Sequence, residues 1–232
     1  MCGIAGFVFS SDRVRETDVN AVRQMTRRMS LRGPDAEGIW TGAGVVLGHR
    51  RLAIIDLEPR SNQPMLSADG RYCLVFNGEI YNFRELRDEL EAQGEMFRTT
   101  SDSEVLIALY ARYREAMLPR LRGMFAFAMW DAQSKELFLA RDPYGIKPLY
   151  YAVTKEGLIF ASQVKALLST GLVSREIENG RCCRLLPMGE CSRALDSVPR
   201  RAGSAGGGLC RVSRRAATDA KAVARHFYGM ES

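Results

Sequence analysis

A cysteine at position 2 is the side chain of this sequence best suited to nucleophilic chemistry. The chain begins Met1-Cys2-Gly3-Ile4, and removal of Met1 would give Cys2 a free α-amino group beside its thiol. Only the thiolate attacks well, and an α-amine, with a pKa of about 7.7 to 8.0, is partly neutral at pH 7 and can accept the thiol proton. The sequence therefore predicts a nucleophile and its base on one residue. The alternative is a small buried cysteine that merely begins a strand.

An asparagine–glycine pair, Asn77-Gly78, is the second candidate. It follows a run of β-formers, and Asn-Gly at the end of a strand is the commonest signal for a tight hairpin. The alternative is that the Asn77 amide and the Gly78 N–H point at a developing oxyanion. The sequence predicts a helix soon afterwards rather than a second strand, so a hairpin fits poorly.

Charged residues could bind a small carboxylate and an ammonium group. Arg50 and Arg51 lie at a predicted strand edge, where a guanidinium can hold a carboxylate in a fork, although an arginine there is more often a solvated surface charge. Asp102 lies at the start of a predicted helix, where it or Ser101 would supply the capping oxygen. Capping explains Asp102 fully, and binding of an ammonium group would be an additional role.

Short strands and a few helices must position these residues. The periodicity predicts helices over residues 11–30, with Thr17 as cap, and over about 83–93 and 105–113. Strands are predicted at 4–9, 38–40, 43–49, 52–55, 72–76, 121–130, 136–140, 149–151 and 158–162. Hairpins outnumber crossovers, which predicts antiparallel sheets with helices packed outside them, an α+β layered fold.

The charge and cysteine content divide the chain into two parts. Of 33 Lys+Arg and 27 Asp+Glu, residues 179–232 hold 10 and 4, which accounts for the whole net charge of +6. This segment is rich in Arg, Ala, Gly and Ser and holds four of the six cysteines, so we expect a low-complexity, disordered basic tail after a domain spanning residues 1–178. The neutral body argues against nucleic-acid binding. No apolar run is long enough to span a membrane, and a cytoplasmic location is expected.

Seven motifs in order give the chain a family resemblance from Met1 to about Ile177. They are Met1-Cys2-Gly3-Ile4, Arg32-Gly33-Pro34-Asp35, and the stretches 49–56, 77–82, 101–104, 122–127 and 141–151. Together they resemble the glutaminase half of asparagine synthetase, a class II glutamine amidotransferase with an N-terminal cysteine nucleophile. The resemblance implies the four-layer αββα sandwich of the N-terminal-nucleophile hydrolases.

The resemblance also implies a role for each site residue. Cys2 would attack the side-chain amide of L-glutamine, forming a thioester and releasing ammonia, with Asn77 and the Gly78 N–H as the oxyanion hole. The substrate would be bound by Arg51 at its carboxylate, by Glu79 and Asp102 at its ammonium, and by the backbone of Leu52, Ile54 and Ile55. Arg32 and Asp35 would be structural support. No metal or cofactor is expected in this half.

The ATP-dependent half of asparagine synthetase has no counterpart in the sequence. Neither its Ser-Gly-Gly-x-Asp-Ser nucleotide loop nor a Walker loop occurs. ATP and magnesium are therefore expected only in a separate synthetase domain, which would be a partner. Residues 184–194 have permitted codons that, read one base later, resemble the linker between the two halves, so the preferred interpretation of the tail is a frameshift.

Two other hypotheses compete with a working glutaminase. The chain could be an inactive relic or a glutamine-binding module, because it lacks the domain whose docking normally completes the site. The tail could instead bind nucleic acid, which predicts salt-sensitive binding confined to proteins that contain residues 179–232. The residue types do not identify the acceptor of the ammonia or the oligomeric state.

Overall fold

A computed structural model describes residues 1–173 and the backbone of a strand at 209–213. Within this part of the chain, the elements are β1 (Gly3–Phe9), α1 (Glu16–Arg28), β2 (Ala36–Gly42), β3 (Val45–Arg51), β4 (Met65–Leu66), β5 (Tyr72–Ile80), α2 (Phe83–Ala92), α3 (Asp102–Tyr113), β6 (Gly123–Asp131), β7 (Glu136–Arg141), β8 (Tyr150–Val153), β9 (Gly157–Ala161), α4 (Val164–Ser169) and β10 (Leu209–Ser213). Short 3-10 helices cover Pro59–Ser61 and Arg114–Arg120.

The strands form two five-stranded sheets in which all pairings are antiparallel. The first sheet has the order β2-β3-β1-β9-β8, and the second has the order β10-β7-β6-β5-β4. The predicted antiparallel α+β fold is confirmed, and β1, which carries Cys2 at its start, lies in the centre of the first sheet.

Three apolar cores separate four layers, as the alternation along β1 illustrates. Ile4 and Val8 pack between the two sheets, whereas Ala5, Phe7 and Phe9 pack on the other face against residues of α1 and α4. A third core lies between the second sheet and the helices α2 and α3. Burying one such side chain contributes about 1.5 to 3 kcal/mol. The layer order is therefore αββα, as the resemblance implied.

The first helix begins later than the sequence predicts. Its first residue is Glu16 and its N-cap is Arg15, so the prediction of a start at Ser11 with Thr17 as cap is wrong. The reason is local: the Asp18 carboxylate accepts hydrogen bonds from the Arg15 backbone N–H at 2.8 Å and from its guanidinium at 2.9 and 3.1 Å. This contact holds Arg15 outside the helix.

Residues 52–55 form an irregular loop, where the sequence predicts a strand. Their backbone groups bond to side chains rather than to a neighbouring strand. The Leu52 N–H donates to Cys2 Sγ at 3.4 Å, and the Ala53 N–H donates to Asp35 Oδ2 at 2.8 Å. The apolar composition indicated a strand because it does not encode these long-range partners.

A strand also occurs where the sequence predicts a disordered tail. Leu209–Ser213 pairs with β7 and extends the second sheet. Without it, β7 would be an edge strand, whose free N–H and C=O groups are a template for any extended segment. The rest of the expected tail, together with the domain boundary at residue 178, lies outside the described residues.

The end of β6 is held by a buried carboxylate between two arginines. Asp131 is fully buried and accepts hydrogen bonds from Arg71 at 3.0 and 2.9 Å and from Arg114 at 2.9 Å. Burial raises the pKa of Asp131, but the hydrogen bonds from both arginines outweigh it, so this pKa lies well below its ordinary value.

We therefore expect Asp131→Asn to lower the free energy of unfolding at pH 7 by about 1.5 to 3 kcal/mol, the contribution of charged hydrogen bonds. A carboxyl with a depressed pKa stabilises the fold above its unfolded-state pKa of about 3.9, and the contribution is lost as the pH falls below that value. Urea unfolding at pH 7 and pH 3 measures this. An equal effect at both pH values would contradict the charge argument.

Candidate active site

One pocket brings together all of the residues that the sequence selected. It has a volume of about 90 Å³, several times what a single buried water needs, so it suits a small molecule. The predicted residues that line it are Cys2, Arg51, Leu52, Ile54, Ile55, Asn77, Gly78, Glu79 and Asp102. They come from β1, the end of β3 and the loop after it, the end of β5, and the start of α3.

Cys2 immediately precedes β1, and its thiol contacts the loop after β3. Its Sγ accepts the Leu52 N–H at 3.4 Å and lies 3.6 Å from the Leu52 carbonyl oxygen. Burial raises the pKa of this thiol, whereas the Leu52 N–H and the charges of the chain terminus and Arg51 lower it. Because burial dominates, the thiol needs a base to become a nucleophile.

Histidine does not supply that base among the residues that line the pocket. His49 is buried in β3, and its Nε2 lies 3.1 Å from the Phe76 carbonyl oxygen. Burial lowers the pKa of His49 to about 4, so its ring is neutral at pH 7. The other histidine, His226, lies outside the described residues. Met1, which carries the terminal amine in this structure, lines the same pocket as Cys2, and its removal would leave an α-amine on Cys2 itself.

The turn after α1 supports the start of the chain. Arg32 Nε donates to the Cys2 carbonyl at 3.0 Å, and Asp35 accepts the Ala53 N–H. Between them, a Cβ on Gly33 would lie 2.4 Å from the carbonyl of Arg50, so only glycine allows this approach. This turn fixes β1 against the loop after β3.

The Asn77-Gly78 pair lies within β5 and does not form a turn. Asn77 pairs with Ala126 and Gly78 with Phe125 on β6, and the strand continues to Ile80, which excludes the hairpin. Asn77 is 1% exposed, and neither its Nδ2 nor its Oδ1 has a hydrogen-bond partner among the described residues. A buried amide without partners is unfavourable, and here it lines the pocket beside a potential nucleophile.

Close packing against β6 requires glycine at position 78. A Cβ at this position would lie 2.4 Å from the Met124 carbonyl oxygen and 2.7 Å from the Phe125 Cα. The close contact lets β5 and β6 run together at the pocket floor. The absence of a side chain also leaves the approach to Asn77 open.

Arg51 is buried, and its guanidinium already has several acceptors. Nη1 donates to the Glu58 carbonyl at 3.0 Å and to Asn62 Oδ1 at 2.6 Å, while Nη2 donates to the carbonyls of Ile55 and Asp56. No carboxylate of residues 1–173 lies within ion-pair distance of it. Arg51 thus organises the loop that forms the pocket wall and leaves its positive charge unbalanced by any of these carboxylates.

Two carboxylates, Glu79 and Asp102, add negative charge to the pocket lining. Asp102 Oδ2 accepts the Ile80 N–H at 3.1 Å, and no side chain caps the start of α3, so the expected capping role of Asp102 or Ser101 is wrong. Burial, with a smaller contribution from the charge of nearby Glu79, raises the pKa of Asp102 to about 6. The Asp102 carboxylate therefore binds the end of β5 instead of capping α3.

Several pocket residues escaped sequence reasoning, namely Ser61, Gln63, Phe76, Ser101, Ser103, Met124 and Lys147. Gln63 illustrates why: its Oε1 accepts the Phe76 N–H at 2.6 Å and its Nε2 donates to Ser103 Oγ at 3.0 Å, so it bridges elements distant in sequence. Lys147 belongs to the stretch 141–151, which carried the family resemblance without a site role for this lysine.

Residues 1–173 and the strand at 209–213 contain no group of three His, Cys, Asp or Glu placed to hold a metal ion. In the same residues, no helix has the length and hydropathy to cross a membrane.

Known proteins resemble the chain in both sequence and fold. A family model described as "Glutamine amidotransferase domain" matches residues 1–199. Asparagine synthetase [glutamine-hydrolyzing] 1 of Bacillus subtilis is 46% identical over 170 residues, covering 72% of this chain and 27% of the relative. Asparagine synthetase [glutamine-hydrolyzing] 3 of the same organism is 43% identical over 174 residues, covering 73% of this chain and 28% of the relative.

Solved structures share the fold at lower identity. A glutamine phosphoribosylpyrophosphate amidotransferase from B. subtilis superposes with a TM-score of 0.63 at 23% identity, covering 73% of this chain and 44% of that one. The chain spans only about a quarter of the length of the curated relatives that it matches. On the family match over most of its residues, the chain belongs to the glutamine amidotransferase domain family.

Proposed function

We propose that the chain, once Met1 is removed, hydrolyses L-glutamine to glutamate and ammonia through a thioester on Cys2. The observation that carries this proposal is the Asn77 side chain, a buried amide that has no partner in the described part of the chain and lines the same pocket as the Cys2 thiol. A permanent partner would occupy the N–H groups of such an amide. An amide without one can donate them to an anion that forms only during a reaction.

The proposed reaction has two balanced halves. The α-amine of Cys2 takes the thiol proton, and the sulfur attacks the amide carbon while the Asn77 Nδ2–H and the Gly78 N–H stabilise the oxyanion. The carbon–nitrogen bond then breaks, and the amine returns its proton to the departing nitrogen, which leaves as ammonia. Water attacks the thioester next, which frees glutamate and restores the thiol.

The charges at the two ends of the pocket suit the α-carbon of glutamine. Glu79 and Asp102 hold its ammonium group, and the positive charge of Arg51 holds its carboxylate. To bond directly to the carboxylate, Arg51 must either release one of the loop carbonyls that it now binds or donate from Nε. Its positive charge attracts the carboxylate in either case. The backbone of Leu52, Ile54 and Ile55 completes the wall.

In an intact enzyme, the ammonia would serve ATP-dependent asparagine synthesis in a separate synthetase domain, which would also bind ATP and magnesium. The support is the identity with asparagine synthetases that are several times longer than the matched region. The cytoplasmic location, the tail as a frameshift product and the boundary at residue 178 stay predictions.

Substrate binding should depend on the ionisation of Asp102. Because the pKa of this buried carboxyl is about 6, Asp102 becomes neutral at lower pH and loses its attraction for an ammonium group, so the KM for glutamine should rise below pH 6. Asp102→Asn should raise KM at pH 7.5 about 10- to 100-fold, the value of one charged hydrogen bond. Steady-state kinetics from pH 5 to 8 measure both, with the exposed Glu85→Gln as control. A pH-independent KM would contradict the assignment.

The proposal itself is tested by ammonia release from glutamine with the purified full chain. Mass spectrometry must first establish that Met1 is absent, and quenching during turnover should trap a γ-glutamyl adduct on Cys2. The alternative function is an inactive relic or glutamine-binding module. Glutamine binding measured by calorimetry, without any ammonia release from trimmed protein, would favour that alternative.

A further inference from the structure

Lys147 is a buried cation in the active-site pocket that the reaction described above does not use. It is 6% exposed and lines the pocket together with Met1 and Cys2. Its ammonium group has neither a hydrogen bond nor an ion pair with any of residues 1–173. Burying an ammonium group without a nearby anion costs free energy. We therefore expect this lysine to have a function that offsets the cost.

The loop after β7 holds Lys147 rigidly in this position. The buried Asp142 carboxylate accepts the backbone N–H groups of Tyr144, Ile146 and Lys147 at 3.1, 2.9 and 3.0 Å. Arg141 Nε donates to the Lys147 carbonyl at 2.7 Å from the other side. A loop with so many internal bonds fixes the backbone from which the buried Lys147 side chain enters the pocket.

The four charged groups around the chain terminus come from three parts of the chain. Arg32 and Asp35 lie on the turn after α1, Cys2 precedes β1, and Lys147 lies on the loop after β7. Arg32 and Asp35 already bind the backbone of Cys2 and Ala53. The remaining charged residues of the pocket, Arg51, Glu79 and Asp102, line its substrate-binding end.

The electrostatic effect of Lys147 on the terminus has a definite direction. Burial lowers the pKa of the Met1 amine, the charges of Cys2 and Asp35 raise it, and the positive charges of Arg32 and Lys147 lower it. After removal of Met1, a cation in the same pocket acts in the same direction on the amine of Cys2, and it also favours an anion on the Cys2 sulfur. Since the terminal amine must be neutral to act as a base and the thiol must lose its proton, one fixed cation assists both requirements.

We propose that Lys147 is a positioning residue of the active site whose fixed charge keeps the amine of trimmed Cys2 uncharged and its thiol ready to ionise. This inference rests on the proposed glutaminase function. It gives Lys147 an effect on the reacting groups rather than on the affinity for glutamine. Removal of the charge should therefore change the pH dependence of catalysis more than the KM.

The test compares Lys147→Met and Lys147→Gln, which remove the charge, with Lys147→Arg, which keeps it, in the trimmed full chain. The acid limb of kcat/KM for glutamine hydrolysis should move upward by about one pH unit in the Met and Gln variants, the shift typical of losing one nearby charge. Activity on this limb should fall about tenfold. Lys147→Arg should keep the wild-type limb, as should Lys165→Met, which removes an exposed lysine.

A second measurement does not require turnover. The rate of Cys2 alkylation by iodoacetamide against pH reports thiolate formation, and its midpoint should rise in the Met and Gln variants but not in the Arg variant. Unchanged midpoints and an unchanged acid limb in folded variants would overturn the proposal, as would a change in KM alone, which would make Lys147 a substrate-binding residue. If the wild type releases no ammonia, the glutaminase proposal fails, while the alkylation profiles still decide the role of Lys147.

Discussion

Cys2→Ala should abolish ammonia release from glutamine, with a loss on the order of 10³-fold or more, down to the uncatalysed background. The thiol is the only atom in the proposed reaction that forms a covalent bond to the substrate, and the remaining pocket cannot replace it. The variant should still bind glutamine, because Arg51, Glu79 and Asp102 are unchanged. Ammonia release and calorimetric binding, measured on the same preparation, separate these two effects.

Cys73→Ala is the matched control for this substitution. Cys73 is fully buried in the core between the two sheets, and burial raises the pKa of its thiol far above neutrality, so it is inert. Its replacement should cost some stability but leave the hydrolysis rate near that of the wild type. Residual Cys2-independent hydrolysis above background, or a comparable loss with Cys73→Ala, would argue against a Cys2 thioester.

Asn77→Ala should lower kcat about 10²- to 10³-fold, the usual effect of removing one oxyanion donor. The same substitution should not destabilise the fold. Because the Asn77 amide is buried without partners among the described residues, its removal deletes an unsatisfied polar group and should leave the melting temperature unchanged or raise it. Hydrolysis kinetics and thermal unfolding of the same protein measure both effects.

Gln63→Ala is the contrasting variant for Asn77→Ala. The Gln63 amide is also buried, but it satisfies the Phe76 N–H and Ser103 Oγ, so its loss should destabilise the fold. The pair distinguishes an amide kept for chemistry from one kept for structure. A lower melting temperature for Asn77→Ala, with kcat changed less than tenfold, would contradict the oxyanion assignment.

Residue types and local periodicity predicted the layered fold and the chemical groups of the site. Apolar β-formers after Cys2 predicted a buried strand, and β1 is buried throughout. Asn77 was recognised because the next predicted element is a helix, and the structure places it within β5, ahead of α2. Such features depend on neighbours within a few residues, so they can be read from the chain.

Local patterns failed where a distant partner decides the conformation. Residues 52–55 have the composition of a strand, but Cys2 and Asp35 bind their backbone and hold them in a loop. Asp102 has the position of a helix cap, but the Ile80 N–H at the end of β5 binds its carboxylate. In each case, a side chain from another element made a hydrogen bond that periodicity does not encode.

The sequence by itself predicted a nucleophile at the chain start and an oxyanion donor in Asn77, and it showed the family-like order of motifs. Only the tertiary structure decided that Arg51 is already bound by loop carbonyls, that the Asn77 amide has no partner among the described residues, and that Lys147 lines the same pocket as Met1 and Cys2. The physical reason is that hydrogen-bond satisfaction and burial belong to the packed layers, since they depend on atoms that residues far apart in sequence bring within a few ångströms.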